Sequence, residues 1–122
     1  MGKIFILEDD EGIREMVTMI LESENYSVVS FANVSDFMNR DINEVPDLFI
    51  LDVMLPDGSG IEVCGNIKSH SSLSTAPVII MSAHASIKEV TRGCDAEGFV
   101  QKPFDIDFFL SQVKFQIANA LS

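Results

Sequence analysis

Short apolar runs, each ending near a polar residue, punctuate this chain. Ile4-Phe5-Ile6-Leu7 leads into Glu8-Asp9, and Leu48-Phe49-Ile50-Leu51 into Asp52. Val78-Ile79-Ile80-Met81 leads into Ser82, and Gly98-Phe99-Val100 runs toward Lys102. Runs this short, without polar alternation, read as strands buried on both faces of a parallel sheet. Segments of helical period lie between them, which makes a repeated strand–helix order. Helix 1 is the clearest: Ile13, Met16, Val17, Ile20 and Leu21 fall on one stripe. A second strand is predicted over 26–31. Asn33 then caps a short helix carrying Val34, Phe37 and Met38.

Pro46-Asp47 punctuates before the third strand. Ser59-Gly60-Ile61-Glu62 has the form of a capping box, so helix 3 starts there, with Ile61, Cys64 and Ile67 inward. Pro77 introduces the fourth strand. Between Ser82 and Lys102 there is no clean apolar stripe, and Gly93 and Gly98 interrupt the segment, so the fourth helix is poorly marked. The fifth opens at Asp105 and turns Ile106, Phe109, Leu110, Val113 and Ile117 inward. Phe108 and Phe115 fall on another face, with Phe104 just before the helix. They are either packed beneath neighbouring segments or part of a partner surface.

In an open α/β sheet, ligands bind beyond the carboxyl ends of the strands. Three acids, a hydroxyl and an ammonium are therefore expected at one edge. Glu8-Asp9-Asp10 alone can be a helix cap plus solvated charge, and Asp10 suits the cap. Glu8 and Asp9 suit Mg²⁺, which takes oxygen ligands and is held by one or two carboxylates plus phosphate oxygens. Asp52 follows a fully apolar run. The turn signals Pro56-Asp57-Gly58 begin only four residues later, so a turn does not explain it. A carboxylate so presented can act as a nucleophile and form an aspartyl phosphate. Crowded carboxylates repel, so without a cation at least one pKa should rise. Lys102 can supply a point charge to a phosphoryl oxygen, and Ser82 can donate to another. Singly, each reads as an ordinary surface lysine or strand-end serine; their joint placement points to phosphoryl chemistry.

The 122 residues favour one domain spanning 1–122, and 47% hydrophobic content supports a core. The formal net charge of −11, from 19 acids against 8 bases, argues against direct nucleic-acid binding. The sequence has no apolar stretch of the ~20 residues a membrane span needs. It also lacks the h-region of a signal peptide, so a cytoplasmic location is expected. Cys64 and Cys94 lack CxxC spacing and read as free, inert thiols. His70 and His84 make no metal-ligand spacing and read as ordinary surface histidines.

The motifs together resemble the receiver domain of bacterial two-component response regulators. They are Ile6-Leu7-Glu8-Asp9-Asp10-Glu11 with Ile13-Arg14, the run from Leu51-Asp52 through Pro56-Asp57-Gly58-Ser59-Gly60, Ile80-Met81-Ser82-Ala83, and Gln101-Lys102-Pro103-Phe104. The resemblance implies a flavodoxin-like (βα)5 doubly wound fold, a five-stranded parallel sheet in order 2-1-3-4-5. It implies that Asp52 is the phosphoacceptor and that a sensor histidine kinase or histidine phosphotransfer protein is the donor. It implies Mg²⁺ held by Asp9, Asp52 and the Met54 carbonyl, and by Glu8 through water, with Ser82, Ala83 and Lys102 around the phosphoryl group. Ser82 and Phe99 match the switch pair, and the Lys102-Pro103 bond is expected to be cis. The output is a change of an unidentified downstream partner at the helix 4–strand 5–helix 5 face. Such a chain is a phosphoacceptor with self-phosphorylation and self-dephosphorylation chemistry, not an enzyme. Two other classes remain. An Asp-nucleophile phosphatase resembles Asp-x-Asp, but Met54 stands at the second acid's place. A binding module that has lost phosphorylation would not keep every site residue. Glu8 replaces the family's commoner Asp, and the 82–102 interval is shorter than usual, which puts the regularity of helix 4 in question.

Overall fold

A computed structural model describes residues 2–69, 76–83 and 94–121. The expected fourth helix, His70 and His84 lie outside the described residues. Five strands pair in parallel: β1 (Lys3–Leu7), β2 (Ser27–Phe31), β3 (Leu48–Asp52), β6 (Val78–Ser82) and β7 (Gly98–Gln101). Their order is β2-β1-β3-β6-β7. This is the flavodoxin-like order 2-1-3-4-5 once a small hairpin is set aside. That hairpin, β4 (Met54–Leu55) against β5 (Gly58–Ser59), is antiparallel and fills the turn that Pro56-Asp57-Gly58 marks.

The three inner runs are apolar because both faces of the sheet are covered. Phe5, Leu7, Phe49, Leu51, Val78 and Ile80 point to one side, onto Phe37 of α2 (Val34–Met38) and Val63, Cys64 and Ile67 of α3 (Gly60–Ser69). Ile4, Ile6, Leu48, Ile50, Ile79 and Met81 point to the other. There they meet Val17 and Leu21 of α1 (Glu11–Ser23) and Phe109 and Val113 of the C-terminal helix (Ile106–Leu121). Alternation of side chains along each strand sorts them. Edge-to-face rings tie the first side together: Phe5 against Phe31 and Phe49 at 5.7 and 5.9 Å, and Phe31 against Phe37 at 5.2 Å.

The helices are narrower than their apolar stripes. Met16, expected inward, is exposed, and Ile20 is half-buried; α1 buries Val17 and Leu21 against the sheet, with Ile13 packed partly against the same core. In α3 the buried set is Gly60, Val63, Cys64 and Ile67, with Ile61 only partly covered. Ile106 is exposed at the mouth of the C-terminal helix, and Gln116 takes a buried place, donating to the Glu97 carbonyl at 3.1 Å. Cys64 is buried and Cys94 partly so, both unoxidised; burial first, and then the adjacent Cys94 thiol, push Cys64 well above the ordinary thiol range. Among the described residues, no helix is long and apolar enough to cross a membrane.

Candidate functional site

The carboxyl ends of β1, β3, β6 and β7 meet at one edge, because parallel register aligns Leu7 with Leu51, Asp52 with Met81 and Ser82 with Gln101. The residues following β1 thus come beside Asp52. Single carboxylate oxygens of Glu8, Asp9 and Asp52 all lie within 4.8 Å of one another. Glu8 and Asp52 are buried while Asp9 is exposed. A cavity of about 320 Å³ opens over them, lined also by Met54, Ser82, Ala83 and Lys102. Every residue expected at the site therefore borders one space, apart from Phe99. Phe99 packs half-buried against the α3-side core.

Local backbone bonds fix the acids. Asp10 caps α1, its Oδ1 accepting the Ile13 N–H at 2.9 Å, as its place before the helix predicted. The Glu8 N–H donates to the Phe31 carbonyl at 3.0 Å, which seats β1's end against β2. Arg14 is a residue that sequence reasoning left without a role. Its guanidinium donates to the Glu8 and Asp9 carbonyls at 2.9 and 3.3 Å and locks the loop. On the β3 side, the Val53 N–H donates to Met81 O at 3.1 Å and the Gly60 N–H to Val53 O at 3.0 Å. Ser59 accepts the Ile61 N–H at 3.1 Å; it caps α3 from within β5, and no bond from Glu62 completes the box among the described residues.

Lys102 reaches in from the end of β7. Its backbone N–H donates to Ser82 O at 2.8 Å, and the Lys102–Pro103 peptide is cis, as the resemblance implied. Its ammonium contacts Glu8 directly and stands 3.2 Å from an Asp52 oxygen. Burial works against that charge, but the bonds and fields of Glu8 and Asp52 outweigh it and raise the lysine above its ordinary range. Glu8 shows the raised pKa expected of crowded acids. Its carboxyl is pushed up to about 7, chiefly because it is buried and only then because of Asp52. One ammonium does not compensate three carboxylates. The donor set is all oxygen and partly open to solvent, and it fits a hard divalent cation of the Mg²⁺ class.

The family model for the response regulator receiver domain matches residues 4–114. The chain belongs to the response regulator receiver domain family. It is similar to the response regulator ArlR of Staphylococcus saprophyticus, 32% identical over 116 residues. That match takes in 93% of this chain and 51% of ArlR, so the chain spans about half the length of the curated relatives it matches. Among solved structures, the non-phosphorylated HemR receiver domain of Leptospira biflexa is 31% identical. It has a TM-score of 0.87, with 96% and 94% of the two chains covered. The response regulator TrrA of Thermotoga maritima, solved in complex with Mg²⁺ and beryllium fluoride, is 27% identical with a TM-score of 0.82, covering 95% and 99%.

Proposed function

We propose that this receiver is a phosphorylation-driven switch, in which Asp52 takes a phosphoryl group from a phosphohistidine of a sensor histidine kinase or histidine phosphotransfer protein. The observation that carries this reading is the convergence of Glu8, Asp9 and Asp52 within 4.8 Å with the Lys102 ammonium 3.2 Å from Asp52. An Asp52 oxygen attacks phosphorus, the bond from phosphorus to the donor nitrogen breaks, and the imidazole leaves. Lys102 neutralises one phosphoryl oxygen and the Ser82 hydroxyl donates to another, with the Ala83 backbone beside them. Glu8, Asp9, Asp52 and the Met54 carbonyl would hold Mg²⁺, which when bound offsets the charge of the acids and of the incoming oxygens. Hydrolysis of the acyl phosphate at the same site resets the switch.

Support comes from TrrA, solved with Mg²⁺ and beryllium fluoride, and from the DrrB receiver domain solved in its BeF₃-activated form, 32% identical to this chain. The chain acts in the cytoplasm as one receiver domain spanning 1–122. It passes the signal through Ser82 and Phe99 to a protein partner on the face of strand β7 and its flanking helices. It is not an enzyme of the Asp-nucleophile phosphatase class: Met54 holds no acid at the second position, and its side chain points to solvent.

Beryllium fluoride tests the reading. Fluorine resonances of a bound fluoride complex should appear with the wild-type chain only when Mg²⁺ is present, and should be missing with Asp52→Asn. Equal binding by Asp52→Asn, or binding independent of Mg²⁺, would reject it.

A further inference from the structure

Asp57 stands at the tip of the β4–β5 hairpin, five residues beyond Asp52, and the chemistry above makes no use of it. Its side chain is exposed, yet both carboxylate oxygens are occupied. The Val34 N–H donates to Oδ1 at 2.8 Å and the Ser35 N–H to Oδ2 at 2.9 Å. These bonds draw its pKa below the usual carboxylate range. They add to the cap of α2 from a distant segment: the Asn33 side chain accepts the Asp36 N–H at 2.7 Å, and Asp57 takes the two N–H groups before it. Contact continues beside the clamp, since a Cβ added at Gly58 would lie 3.1 Å from a Val34 methyl.

The clamp closes a ring. The start of α2 follows directly on β2, whose last residue, Phe31, accepts the Glu8 N–H. The root of the hairpin follows directly on Asp52. The acidic ends of β1 and β3 are therefore joined twice, once through their shared ladder and once around the outside through Phe31, α2 and Asp57. Met54 lies on the hairpin strand that this outer link holds.

We infer that Asp57 is a positioning residue: by clamping the hairpin to α2 it holds the Met54 carbonyl where, together with Glu8, Asp9 and Asp52, it meets a divalent cation. The inference rests on the Mg²⁺ reading above and adds to it a residue that touches neither metal nor phosphate. The clamp is on the surface and α2 keeps its Asn33 bond to Asp36, so the variants are expected to fold, and their melting curves check it.

The test is calorimetric titration of Mg²⁺ into the wild-type chain, Asp57→Asn and Asp57→Ala, with a melting curve for each. All three titrations are run in the same buffer at the same pH. Both variants lose the same charge, so any difference between them is not long-range attraction for the cation. Asn keeps one acceptor oxygen for the α2 amides and Ala keeps none. Mg²⁺ should bind most tightly to wild type, less so to Asn and least to Ala. The Asn-to-Ala step should be roughly threefold to tenfold, below the ~10–100-fold typical of losing a group that touches a metal ligand. Equal dissociation constants for Asn and Ala would overturn the inference, as would melting temperatures that fall while affinity stays at the wild-type value. A wild-type chain that takes up no Mg²⁺ would overturn the metal reading itself. Tight wild-type binding with indistinguishable variants would remove only the role of Asp57.

Discussion

Replacing Gly60 by alanine should damage both the fold and the site, although no unusual backbone angle requires glycine there: the chain has no glycine at positive φ among the described residues. The reason is space. A Cβ at Gly60 would stand 2.0 Å from the Asp52 carbonyl oxygen and 2.8 Å from its carbon. Carbon and carbonyl oxygen pack no closer than about 3.3 Å, so α3 and the end of β3 must separate by about 1.3 Å. Overpacking a core costs typically ~1–3 kcal/mol. Here the obstruction is main chain of a central strand, which cannot rotate aside, so the upper end applies. At about 3–5 °C of melting temperature per kcal/mol for a domain this size, the midpoint should fall by roughly 10–15 °C. The displaced strand end carries Asp52, and a 1 Å misplacement can cost ~100-fold in rate. Thermal melting and the rate of phosphoryl incorporation from acetyl phosphate read the two effects. Gly12→Ala is the control. Its new Cβ meets nothing closer than an Asp10 oxygen at 3.4 Å, and relief of glycine in a helix should add about 0.5–1 kcal/mol. If Gly60→Ala melted within a few degrees of wild type and took up phosphate at the same rate, the steric reasoning would be wrong.

Three further outcomes are expected. Glu8 has its folded pKa raised to about 7 from an ordinary 4.5, so the metal-free folded state holds its proton more tightly than the unfolded chain. That contribution is full below the unfolded value and is lost as pH rises through about 7. Chemical denaturation in chelator should show stability falling across this interval by up to ~3 kcal/mol. Glu8→Gln or added Mg²⁺ should flatten the slope, and an unchanged slope in Glu8→Gln would assign it to other groups. Asp9→Ala should weaken Mg²⁺ binding more than Asp10→Ala, because Asp9 belongs to the carboxylate cluster and Asp10 is spent on the cap; the reverse order by calorimetry would contradict the site. Phe108 and Phe115 are 47% and 57% exposed, which excludes the core alternative for them. Phe115→Ala should therefore lower stability by less than about 1 kcal/mol while weakening partner binding or self-association in sedimentation or pull-down; a large loss of stability would show hidden packing.

The central architecture was legible because burial on both faces forces continuous apolar runs, and a parallel sheet aligns their ends. Hence β1, β3 and β6 and the acids and hydroxyl at their ends could be placed from sequence; β7 is a half-buried edge strand, placed by its short apolar run before Lys102. Pattern alone overestimated the inward faces. Met16 and Ile106 share helical spacing with buried neighbours but extend past the sheet that covers them. Val63 and Gln116 were missed because burial there depends on what faces the helix: Gln116 meets the Glu97 carbonyl, which no spacing rule announces. The capping box failed for a similar reason. Ser59 is claimed by the hairpin, and its hydroxyl reaches the Ile61 N–H instead of starting a reciprocal pair. Crowding of the acids was foreseen, but burial, not mutual repulsion, is the main cause of the raised Glu8 pKa. Arg14 bonds backbone carbonyls five and six residues back, and Asp57 bonds amides more than twenty residues away; both contacts are to main chain, so the residue types gave no signal. Phe104, grouped by sequence with the exposed rings, instead stacks on Phe109 at 5.0 Å.

The central claim is that Asp52 accepts the phosphoryl group, and intact-mass spectrometry tests it most directly. Incubated with acetyl phosphate and Mg²⁺, the wild-type chain should gain the mass of one phosphoryl group and lose it again on removal of the donor. Asp52→Asn should gain nothing, and chelator should suppress the gain in wild type. Equal labelling of Asp52→Asn, or labelling unaffected by chelator, would contradict the account.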